Sequence, residues 1–65
     1  MTLDEAKKLQ YRNTLIDTRT GKRWRVNGKV KVWKKDSSRI LIPVKHGLFA
    51  YGYIDEYNIV HFEKE

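Results

Sequence analysis

The chain has 65 residues, a formal net charge of +6 and no cysteine, which predicts one domain, 1–65, near the size where folding buries only about 60% of the unfolded chain's surface. A disulfide framework and thiolate metal clusters are excluded; no apolar run nears the roughly 20 residues of a membrane span, and "MTLDEAKKLQ" does not read as a signal peptide, so a soluble, cytoplasmic chain with no membrane partner is expected. The charge is segregated: residues 19 to 45 hold ten Lys or Arg against one acid, Asp36, a local net of +9, while the rest nets −3, and such a patch attracts polyanions, nucleic acid first among them.

In chain order, Thr2 precedes Asp4 and Glu5, and Leu3, Ala6 and Leu9 recur at helical spacing. This predicts a short capped helix in segment 1–11 that needs a surface to lean on. From Asn13 the pattern changes to β-rich runs at about 14–17, 22–26, 29–34, 39–45, 48–54 and 59–62. Turn signals separate them: "TRTG", "NG", "KDSS", "HG" and "DEYN". Five or six short antiparallel strands with tight turns predict an all-β small barrel over 13–62, since closure removes exposed edges.

The second and third runs flank Asn27-Gly28, a hairpin signal. A two-residue turn would mix apolar and charged residues on both faces. A three-residue loop, Val26 to Gly28, with Gly28 left-handed, puts Trp24, Val30 and Val32 on one face and Arg23, Arg25, Lys29, Lys31 and Trp33 on the other. That register sets Arg25 against Lys29 and Arg23 against Lys31, like-charge pairs that destabilise a ladder by roughly 0.2 to 1 kcal/mol each. A bound polyanion would reverse the sign, and Trp33 among the cations is a candidate stacking platform; solvated cations that discourage edge pairing are the competing reading.

Pro43 in "RILIPVK" predicts an edge strand or a bulge, and an edge there is a candidate for pairing with a second copy. In "LFAYGYI", Phe49, Tyr51 and Tyr53 alternate with smaller residues. Phe49 is expected to pack, with the N-terminal helix a candidate cover, whereas the tyrosines are equally suited to core or surface. Chemistry is sparse: His46 and His61 lack companions at ligand spacing, no nucleophile motif or phosphate loop is present, and Asp55 and Glu56 are read as capping a single helical turn. No catalytic residue, metal, cofactor or small-molecule substrate is expected, and an enzyme is not.

The segment "GYIDEYNIV", residues 52–60, resembles the strand, 3₁₀ turn and final strand that close an SH3-like barrel, and "KHGLFAYGY" is similar to its distal hairpin. The resemblance covers about 13–62. It implies an SH3-like small barrel of five to six short antiparallel strands with a short N-terminal helix, but Asp55 stands where the fold's peptide-binding members have proline, and the region of their acidic loops is basic here. Only Tyr57 carries over as a groove residue. "KRWRVNGKV" resembles the tryptophan-bearing strand of small archaeal chromatin proteins, which implies an outward Trp24. "GKRWRVNGKVKVWK" with "PVKHGL" resembles short uncharacterised proteins encoded by bacterial viruses, implying a host-cytoplasmic setting.

The expected function is a non-enzymatic binding module. Its leading partner is nucleic acid, DNA or RNA, bound with little sequence specificity through Arg23, Arg25, Lys29, Lys31, Trp33, Lys34 and Lys35, with Arg19 and Arg39 widening the field. The alternative is an acidic protein partner, met by the same face or by Tyr51, Tyr53 and Tyr57, as in a viral effector or an assembly protein.

Overall fold

Alternating burial after Asn13 curls six antiparallel strands into a half-barrel, described over residues 1–65 by a computed structural model. The helix comes first. In α1 (Leu3–Lys7) the Thr2 hydroxyl accepts from the Glu5 N–H at 3.2 Å, and the Glu5 carboxylate accepts from the Thr2 N–H at 2.9 Å, a reciprocal capping box. So short a helix does not stand alone. Ala6 and Leu9 are buried in the core, and the N-terminal ammonium donates to the Phe62 carbonyl at 2.9 Å. The helix is shorter than segment 1–11 because the chain turns at Arg12, whose φ of 75° is held by its N–H donating to the Val26 carbonyl at 2.9 Å.

The strands are β1 (Thr14–Asp17), β2 (Arg23–Val26), β3 (Lys31–Val32), β4 (Ile40–His46), β5 (Ala50–Asp55) and β6 (Phe62–Lys64), with a 3₁₀ turn at Ile59–His61 before β6. The order is β3-β4-β2-β1-β6, and β5 lies on the other edge of β4. This is the all-β small barrel expected: a distal hairpin turns at Gly47, φ 68°, and the last strand follows the 3₁₀ turn. Asp55 caps the preceding turn, accepting from the N–H groups of Tyr57 and Asn58 at 2.9 and 3.0 Å. Glu56 instead accepts from the Ile40 N–H at 3.2 Å.

The hairpin at Asn27-Gly28 does not form. Val26 pairs with Val44 and Lys31 with Leu41, so β2 and β3 run in one direction along the same edge of β4, and residues 27–30 bulge opposite 42–43. Gly28 is not left-handed. Its lack of a side chain serves a close approach: a Cβ there would lie 3.0 Å from Pro43 Cγ. Pro43 likewise fits the bulge, with its carbonyl accepting from the Asn27 N–H at 2.8 Å and its missing N–H facing the interruption. The edge-strand reading is corrected, because β4 is paired on both sides, and self-pairing at "RILIPVK" falls with it. Gly28→Ala is expected to lower stability by about 1 to 3 kcal/mol through overpacking. Addition of Pro43→Ala should recover part of that loss in a denaturant titration; no recovery would contradict the contact.

Because the bulge adds two residues, side-chain parity survives it. Trp24 and Val30 lean on the core, which is built from Leu15, Val26, Ile40, Ile42, Val44, Ile54, Ile59 and Phe62 with the two helical residues. An outward Trp24 is thereby corrected: its ring packs 5.3 Å from that of His46, whose Nδ1 lies 2.8 Å from the Arg23 carbonyl oxygen. Phe49 is not packed. The helix packs on the core beside Phe62 and leaves Phe49 88% exposed at the hairpin tip.

One carboxylate is buried with the core, Asp17. It accepts from the Arg19 N–H at 2.9 Å and from Arg19 Nε at 3.2 Å, and the Arg19 side chain holds its pKa below the usual value. A folded pKa below the unfolded one means that the stabilisation is present at neutral pH and is lost as pH falls from the ordinary range near ~4 toward the lower folded value. Asp17→Asn should therefore flatten the acid limb of a Tm-against-pH profile. A limb as steep as the wild type's would contradict this role.

Candidate nucleic-acid interface

The barrel's outward face is set by the residues that alternate with the core. On β4, Leu41, Pro43 and Lys45 point away from buried Ile40, Ile42 and Val44. Lys45 stands opposite Arg25 on β2 and opposite Tyr51 on β5, and Pro43 stands opposite Tyr53. Leu41 lies between Lys31 and Asp55. Since neighbouring strands are about 4.8 Å apart, these are touching rows. The first, Tyr51, Lys45, Arg25 and then Thr14, carries two cations side by side and one aromatic ring. The Lys45 ammonium lies 5.2 Å from the Tyr51 ring centroid, a cation–π arrangement. An open depression lies at the end of this face, with Arg23, Arg25, Lys45 and Leu48 on its wall.

The predicted like-charge pairs within one hairpin are replaced. Arg25 faces Lys45 in place of Lys29, and Arg23 faces Ile16 in place of Lys31. Arg23 is also partly neutralised, with Nε 3.1 Å from the Glu65 carboxylate. Arg19 and Arg39 pair with Asp17 and Glu56. Arg25, Lys29, Lys31, Lys34, Lys35 and Lys45 have no carboxylate within ion-pair distance, and their charge is uncompensated. Lys29 stands exposed in the bulge, while Lys34 and Lys35 are exposed in the connection from β3 to β4.

Trp33 does not stand free. It is partly buried and flanked by the Lys31 ammonium at 5.1 Å and the Arg39 guanidinium at 5.0 Å from its ring centroid. More exposed rings lie elsewhere: Tyr51, which carries Lys45 alone, and Tyr53 and Tyr57, which carry no cation, are 63%, 66% and 81% exposed. Tyr51 and Tyr53 share the face of Arg25 and Lys45, whereas Tyr57 lies in the turn after β5. Lys45 joins this face although the basic hairpin alone does not point to it, and the sequence carries a signal for it. A hairpin turning at Gly47 pairs His46 with Ala50, which sets Lys45 against Tyr51 and beside the basic strand.

No protein-family model, curated protein or solved structure matches the chain. No helix is long and apolar enough to cross a membrane.

Proposed function

We propose that the protein is a non-enzymatic nucleic-acid-binding module that uses the outward face of β2, β3, β4 and β5. The observation that carries the reading is the opposition of Arg25 and Lys45, two uncompensated cations in adjacent strands with Lys29 and Lys31 close by along the same edge of β4. Like charges so placed repel in the free protein and are relieved when phosphates lie over them. Sequence specificity is low, because a shallow sheet face with no recognition helix reaches phosphates more readily than base edges. Arg23, held by Glu65, contributes less than Arg25.

The reading is tested by fluorescence-anisotropy titration of the purified protein with a labelled oligonucleotide at several salt concentrations. Four cations engaging four phosphates predict a log-log salt slope of about −3 to −4. Binding independent of salt, or none at 50 mM salt, would remove the proposal. A second reading, an acidic protein partner, is favoured by the unpaired outer edge of β5, which could accept an added strand beside Lys45 and Tyr51. Such a partner would stay bound after nuclease treatment, whereas nucleic acid would not.

A further inference from the structure

Resting on that reading, we infer that the face is built for single-stranded nucleic acid, with Tyr51 and Tyr53 as the base-stacking platform and Lys45 and Arg25 as the phosphate track beside them. Only in a single strand are base faces and phosphates both open to a flat surface. In a duplex the faces are covered by neighbouring bases, leaving groove edges and phosphates. A purely phosphate-binding surface has no use for exposed rings, yet this face carries two on alternate residues of β5, and Phe49 stands at the hairpin tip preceding them, 88% exposed.

The geometry suits bases that have left the stack. Alternate residues of a strand are about 6.7 Å apart, roughly twice the 3.4 Å rise between stacked bases. Neighbouring rings therefore receive bases separated from one another rather than a continuous stack. The register then supplies the backbone track: one strand inward from Tyr51 is Lys45, and one further is Arg25. The Lys45 ammonium, 5.2 Å from the Tyr51 ring centroid, is within reach of the phosphate of a base lying on that ring. Opposite Tyr53 stands Pro43, an apolar neighbour for a second base. Asp55, two residues beyond Tyr53, ends the platform with a negative charge. Trp33 is the poorer platform, being partly buried with two cations over its ring, whereas Tyr51 carries one, Lys45, and Tyr53 none.

The test compares 12-nucleotide dT, 12-nucleotide rU and a 12-base-pair duplex as anisotropy probes at fixed salt, for the wild type and for Tyr51→Ala/Tyr53→Ala. Both tyrosines are surface residues, and a thermal melt of the double variant establishes that it folds. The wild type should bind dT or rU at least ~10-fold tighter than duplex, and the double variant should lose at least ~30-fold on the single strands with duplex affinity changed less than ~3-fold. The dT and rU arms report whether the sugar matters. Duplex binding as tight as single-strand binding, or an equal loss on both, would overturn the inference and leave phosphate binding standing. No binding to any probe would remove the proposed function itself.

Discussion

Arg25→Ala/Lys45→Ala is expected to weaken binding and strengthen the fold at once. At 0.1 M salt each released counterion contributes close to tenfold in affinity, so losing two phosphate contacts should reduce affinity roughly 25- to 60-fold and flatten the log-log salt slope by about 1.4 to 1.8. In the free protein the two cations face each other across β2 and β4. Directly opposed like charges destabilise a ladder by about 0.2 to 1 kcal/mol, and their removal should return that amount in a urea titration. The opposite signs are diagnostic. A variant that lost affinity because its sheet was damaged would lose stability too, and that result would count against the assignment.

The second large effect is in the core. Ile42 is fully buried on the central strand, opposite Ile54 on β5 and behind the bulge. Ile42→Ala is expected to lower stability by about 2 to 5 kcal/mol, through lost burial and the cavity left behind. For a 65-residue chain the total is of order 3 to 10 kcal/mol, so the substitution should remove a large fraction of the stability and lower the Tm markedly. Val32→Ala is the control. Val32 faces the same way but is 39% exposed, and its truncation should lower stability by less than about 1 kcal/mol. Comparable Tm shifts for the two variants would mean that the core is not centred on β4.

Much of this architecture is legible in the residues, because burial in a thin sheet imposes a period of two that local chemistry cannot hide. Strands β1, β2, β4 and β5, the cap at Thr2 and the distal turn at Gly47 lie close to where alternation and turn residues put them. Asn27-Gly28 misleads for a definable reason. The same dipeptide that closes a hairpin also serves where a chain must swell without a side chain, and only the partner strand, through Pro43, shows which applies. Because the swelling adds an even number of residues, the inward and outward sets are nearly the same under either geometry. Arg23, Arg25, Lys29 and Lys31 are therefore exposed under either geometry, while their cross-strand partners differ. Pairing with β4 depends on contacts distant in sequence, which is also why Lys45 is missed and why Phe49 is read as packed.

The most direct test of the binding face is amide chemical-shift mapping of the labelled protein during titration with 12-nucleotide dT. Perturbations are expected to concentrate at Arg25, Lys29, Lys31, Lys45, Tyr51 and Tyr53, with the helix and β6 unmoved. Shifts confined to the helix and β6, or none at saturating oligonucleotide, would contradict the assigned face.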